Sequence, residues 1–132
     1  MATPKEDNQK ILQISVDKED VIHVSVVELI SDRNIWEVMQ ELEVKFINLS
    51  QKAKVIINLT NFKIIQTPFF RKKIAERFKF LIDNLGIKKI AFWGGTVITR
   101  TMTSFVITAS RTKIKAKVFK TEQKALSWLR RG

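Results

Sequence analysis

The sequence predicts an α/β domain: a mostly parallel sheet of about five strands, the first strand antiparallel, with four helices mainly on one face. Three observations predict it. Five short segments alternate apolar and polar residues, the period of strands with one buried face. Four longer segments place apolar residues at helical spacing. From residue 54 onward strand and helix alternate, the pattern of right-handed β-α-β units in a parallel sheet.

The elements follow in order. Strands are expected over residues 11–16 and 21–27, joined by the polar turn Asp17-Lys18-Glu19-Asp20, which has hairpin length and makes the first pair antiparallel. Ser31 is a candidate cap for a helix reaching about residue 49, with Ile35, Val38, Leu42, Phe46 and Leu49 on one stripe. In the third strand, residues 54–60, Val55, Ile57 and Leu59 alternate with Lys54, Asn58 and Thr60. Thr67-Pro68 then opens a helix: the threonine oxygen accepts an orphan backbone N–H, and proline has none to lose at the first helical position. This helix runs to about residue 84, with Phe70, Ile74, Phe78 and Leu81 inward and Gly86 just beyond its end. A fourth strand, residues 87–93, is broken by Gly94-Gly95. The third helix, residues 97–110, is expected to bury Ile98, Met102, Phe105 and Ala109. The fifth strand covers residues 113–120, and a last helix from Thr121 packs Ala125, Leu126 and Leu129.

The strand faces carry a second message. Leu12, Ile14, Val16, Ile22, Val24, Val26, Ile90 and Phe92 share one apolar face with the third-strand residues above and with Ile114, Ala116 and Val118. The opposite face reads Gln13, Ser15, His23, Ser25, Asn58, Thr60, Lys89, Lys113, Lys115 and Lys117. A sheet buried on both faces has continuous apolar strands. Alternation therefore places the helices mostly on one side and leaves the other polar and at least partly open. The lysines of the fifth strand read as charge protecting an edge.

At 132 residues, 45% of them hydrophobic, the chain is long enough for one domain with a core of its own. Residues 1–10, MATPKEDNQK, are polar and unlike a signal peptide; they are expected to be disordered, leaving 11–132 as the domain. With no cysteine, disulfides and thiol catalysis are excluded. The single histidine argues against a histidine-based metal site, and no apolar run approaches the roughly 20 residues that span a bilayer. A cytoplasmic protein without cofactor is expected. The net charge of +11 is uneven: residues 1–66 hold 8 Lys/Arg and 10 Asp/Glu, residues 67–132 hold 16 and 3. A basic half favours an acidic protein, an anionic lipid surface or a nucleic acid. The plainer reading is a solvated basic surface.

Candidate sites are few. The loop leaving the third strand carries no nucleophile–base pair, metal ligands or phosphate-cradling glycines, although such loops are where α/β proteins build sites. No GxSxG elbow or P-loop occurs, so an enzyme is not expected. Gly94, Gly95 and Thr96 lie at a helix start, with Arg100 one turn on; backbone N–H groups there suit a small anion, while turns use glycine for ordinary reasons. His23, beside Ser25 and with no acid partner visible, reads as a hydrogen-bonded surface histidine rather than a general base. Trp93 falls on the polar-face register, and Phe62 and Phe69 flank the central loop, as partner-facing or as partly buried aromatics. Arg71, Lys72, Lys73, Arg77 and Lys79 form a basic band without a nucleic-acid motif, so nucleic acid is not the expected partner.

The order of elements and two motifs resemble the STAS domain family, which includes the anti-sigma-factor antagonists and shares its fold with the CRAL-TRIO lipid-binding domains. The first motif is Asn58-Leu59-Thr60, then Phe62, Ile64 and Ile65, then Gln66-Thr67-Pro68-Phe69, where the antagonists read approximately D-L-S, an apolar run and D-S-S-G. The second runs from Lys117-Val118-Phe119 to Ala125-Leu126-Ser127-Trp128-Leu129 and is similar to the ending of small bacterial STAS-like proteins; Lys89-Ile90-Ala91-Phe92, Arg100 and Phe105 fit the same subgroup. The antagonists switch through a phosphorylated serine, but Pro68 stands at that position, and phosphate cannot be added there. The resemblance thus implies a regulatory interaction module without the switch. It would dock an acidic protein through Asn61, Phe62, Gln66, Thr67, Phe69, Arg71 and Lys72. The CRAL-TRIO side implies instead an anionic lipid or small anion at Gly94, Gly95, Thr96 and Arg100. Self-association through the open sheet face is a third expectation, which the lysines there would resist.

Overall fold

The computed structural model describes residues 12–27, 34–47, 54–62 and 68–131, with backbone alone for residues 68–71 and 81. The expected disordered segment 1–10, the Ser31 cap, Leu49, Ile64, Ile65, Gln66 and Thr67 lie outside the described residues. The elements are β1 Leu12–Val16, β2 Val21–Val26, α1 Ile35–Ile47, β3 Lys54–Asn58, α2 Pro68–Asn84, β4 Lys89–Trp93, α3 Val97–Ser110, β5 Lys115–Phe119 and α4 Glu122–Arg130. The strands lie in sequence order, β1-β2-β3-β4-β5. β1 is antiparallel to β2 and every other pair is parallel, as expected from the hairpin and the crossovers. Strand ends fall one or two residues inside the expected limits.

Two layers of helix enclose the sheet. Ile22, Val24, Val55, Ile57, Ile90 and Phe92 join one core with Val38, Met39 and Phe46 of α1 and Ile74 and Ile82 of α2, against which Val106 and Ile107 of α3 pack. Three consecutive right-handed crossovers in spatial order put three helices on the same face. The fourth helix departs from them. Ala125 and Leu129 of α4 pack on Val21, Ile56 and Ala91, with Trp93, Phe119, Leu126 and Trp128 around them. The second face is therefore covered over the central strands, not left open. The expectation of a polar face passes over Ile56 and Ala91, two apolar residues on that register, fully buried in the structure. After the edge strand β5 the chain turns back, and α4 folds over this apolar pair.

Helix α3 is turned from the expected orientation. Ile98 and Phe105 are about half exposed and Ala109 is exposed, whereas Thr99 and Ser110 are buried. Met102 alone of the four expected residues faces the core side. In VITRTMTSFVITAS nearly every side chain is apolar or a hydroxyl, so the helical period fits more than one face. Leu12, Ile14 and Val16 fade outward along the edge strand β1: the first is buried and the last is 47% exposed.

Candidate functional site

The loops after β3 and β4, singled out in the sequence as two separate sites, meet at the carboxyl edge of the sheet. Leu59 N–H donates to Trp93 O at 2.8 Å, continuing the β3–β4 ladder by one residue, and Phe62 N–H donates to Leu59 O at 3.0 Å to close a turn. Asn58 Oδ1 accepts from Thr60 N at 2.9 Å and from Thr60 Oγ1 at 2.5 Å. Asn61 Nδ2 donates to Val26 O at 2.8 Å and ties the turn to the end of β2. Asn61 is thus a clamp between two strand ends.

Gly94 and Gly95 have φ of +86° and +75°, the left-handed region that favours glycine. Closeness adds a second constraint. A Cβ on Gly95 would stand 3.0 Å from Leu59 O and 3.3 Å from Thr99 Cγ2; one on Gly94 would stand 3.3 Å from Thr60 Oγ1. Thr96 is the N-cap of α3, its Oγ1 accepting from Thr99 N at 3.1 Å. Arg100 folds back: its Nη1 donates to Gly95 O at 2.8 Å and Gly94 O at 3.3 Å. Gly94, Gly95, Thr96 and Arg100 are brought together, but the guanidinium and the hydroxyl hold the loop's own backbone.

Of the docking residues, Asn61 and Phe62 are half-buried at this edge and Lys72 is exposed on α2. Phe69 and Arg71 stand in the first turn of α2. The basic band is partly neutralised. Arg77 Nη2 meets Glu43 Oε1 at 2.9 Å, and Lys79 Nζ meets Asp83 Oδ2 at 2.7 Å. That lysine bond, against an opposing desolvation and aided by Thr112, holds the Asp83 carboxyl below its usual range.

Three features escape the sequence reading. His23 has an acid partner: its Nε2 lies 2.8 Å from Asp17 Oδ2, while Asp17 Oδ1 accepts from Glu19 N and Val21 N. The signal is the hairpin register, which pairs Ser15 with His23 and brings the turn's first residue alongside. Desolvation pushes the Asp17 carboxyl up, but the bonds from His23 and the two backbone N–H groups outweigh it and hold it below its usual range. Lys89, expected on an open face, is 7% exposed under α4.

The third is a cavity of about 130 Å³ between the sheet and α1, α2 and α3. Its walls include Val26, Leu59, Phe62 and Phe92 at the strand ends and Met39 and Met102 from the helices, so it lies beneath the two loops. Protein interiors are close-packed, so a space of this size among core residues stands out. No period or motif announces it, because each lining residue is an ordinary core residue on its own element.

Among the described residues no group of three or more His, Asp or Glu is placed to hold a metal ion, and no helix is long and apolar enough to cross a membrane. No curated protein matches the chain significantly. A family profile described as a domain of unknown function, DUF7793, matches residues 7–131, nearly the whole length, and the chain belongs to that family.

Proposed function

We propose that the chain is a non-enzymatic, STAS-like interaction module that docks an acidic protein partner across α2, α3 and the loop after β3. The carrying observation is the outward side of α3. Val97, Ile98 and Phe105 are 69%, 55% and 50% exposed on a helix whose one charged residue is Arg100. Large exposed side chains so close together mark interaction surfaces. α3 packs against α2, which presents the exposed Lys72 and Lys73. The excess of 16 Lys/Arg over 3 Asp/Glu in residues 67–132 complements an acidic partner and steers its approach. The hairpin followed by parallel strands with three helices on one face is the element order the STAS resemblance implies, and it supports the same reading. An anionic ligand on the Gly94–Arg100 segment is the weaker reading, because Arg100 Nη1 and Thr96 Oγ1 already serve the loop.

A photo-crosslinking residue placed at Ile98, in the full chain expressed in its source cells, tests this. The expected result is one discrete adduct with a protein of acidic pI, lost in the Arg71→Glu, Lys72→Glu double variant and absent when the probe sits at Gln13. An adduct indifferent to charge reversal, or equal labelling from Gln13, overturns it.

A further inference from the structure

We propose that the cavity beneath the carboxyl-edge loops is a binding site for a small, neutral, largely apolar molecule of about the size of a benzene ring. The cavity lies between the helices and the sheet, whereas Val97, Ile98 and Phe105 of the proposed docking surface are exposed on the outward side of α3.

Size sets the first limit. The cavity holds about 130 Å³. Cavities of about 150 Å³ lined by Leu, Ile and Phe stay dry and admit benzene or xenon. Water is a poor occupant, since a buried water needs two to four polar partners. Thr99 and Thr103 are the polar residues among the described walls, and both are engaged. Thr103 Oγ1 donates to Thr99 O at 2.8 Å, and Thr99 Oγ1 accepts from Thr96 Oγ1 at 3.1 Å. Among the described walls no cation replaces the hydration of a carboxylate or phosphate, which favours a neutral guest.

Adaptability is the second argument. Two of the chain's three methionines, Met39 and Met102, line the void, and unbranched thioethers re-pack around guests of different outline. Phe78 and Phe92, ring centroids 5.9 Å apart, form one wall suited to an aromatic or alicyclic ring. Position is the third. Ligands of open α/β sheets sit at the carboxyl ends of the strands, and here Leu59, Phe62 and Thr99 beside those ends line the void.

The test uses the full chain labelled with ¹³C-methyl methionine. Titration with benzene should shift Met39 and Met102 saturably and raise the melting temperature. Benzoate, the same ring carrying a charge, should do neither. Thr103→Phe, whose ring takes up much of the void, should abolish the benzene shifts while the protein remains folded; Val106→Trp serves the same purpose if that variant does not fold. Non-saturable shifts, shifts that persist in the filled variant, or equal effects of benzoate overturn the proposal. So does the absence of any shift at benzene saturation.

Discussion

The Nζ of Lys89 donates to the backbone carbonyl of Trp128 at 2.7 Å and lies 4.5 Å from the centroid of the same residue's ring. A second bond reaches Arg131 O at 3.2 Å. An ammonium at the start of a β-strand thus finishes a helix 39 residues later, donating to the Trp128 carbonyl, which also accepts from the C-cap N–H of Arg131, and to the Arg131 carbonyl beyond the helix end. The indole face adds a cation–π contact. We expect Lys89→Ala to cost about 2 kcal/mol in urea denaturation, the range of hydrogen bonds to charged groups. Backbone amides of α4 should lose hydrogen-exchange protection more than those of β3. Equal loss in both elements would show that the lysine does not act through α4.

The same lysine has cationic neighbours. Across three parallel strands Lys54 pairs in register with Lys89, and Lys89 with Lys115. Burial first, then repulsion from Lys115, Lys54 and Arg131, holds the Lys89 amine below the usual lysine range. Folded Lys89 therefore binds its proton less tightly than the unfolded chain does. The resulting penalty is fully present below the folded pKa and fades as pH rises from there towards the unfolded value. Lys115→Glu replaces repulsion with attraction and should stabilise by a few tenths to about 1 kcal/mol, the range of cross-strand pairs. Melting temperatures from pH 7 to pH 10 should show the gain of the variant over the parent shrinking as pH rises. A variant less stable than the parent at pH 7 would count against the ordering of these charges.

Much of this architecture is legible in the residues, for identifiable reasons. The hairpin around Asp17, the crossovers and the stripes of α1 and α4 follow from local chemistry and one-sided burial. Alternation misleads where a strand is covered twice. Val55, Ile56 and Ile57 are all buried, and Ile56 is what α4 needs for its footing. Lys89 reads as a solvent residue because its compensation, the end of α4, lies far along the chain. Arg100 reads as an anion ligand for the related reason that its acceptors, Gly94 O and Gly95 O, are backbone atoms with no side-chain signature. The cavity is illegible in principle, since it is a property of how three helices fail to fill the space above one sheet.

The Asp17–His23 contact predicts the acid limb of stability. A carboxyl held below its ordinary pKa contributes stability that is present above the unfolded value near 3.8 and is lost as pH falls through the folded value. Asp17→Asn should remove about 1 kcal/mol at pH 7, the net worth of the lost bonds. It should also flatten the fall in stability between pH 5 and pH 3 relative to the parent. Urea titrations at pH 7, 5 and 3 measure both effects. Parallel curves for the two proteins would mean that the hairpin does not depend on the charge of Asp17.

Gly95 joins backbone strain to the cavity. Gly95→Ala would hold a non-glycine residue at φ +75°, costing about 1–3 kcal/mol, with its Cβ 3.0 Å from Leu59 O. The carbonyl accepts from Phe62 N–H in the turn and is less free to move than the second neighbour, Thr99 Cγ2 at 3.3 Å. Relief therefore comes from Thr99, whose displacement carries a cavity wall inward. The variant should melt lower than the parent and take up benzene less well, as judged by the Met102 methyl resonance. Gly86→Ala serves as the control: Gly86 has φ +76°, but a methyl group there would meet nothing within 4 Å. It should lose a similar amount of stability and leave benzene binding unchanged. If both variants weaken benzene binding equally, the effect comes from lost stability and not from the wall that Thr99 forms.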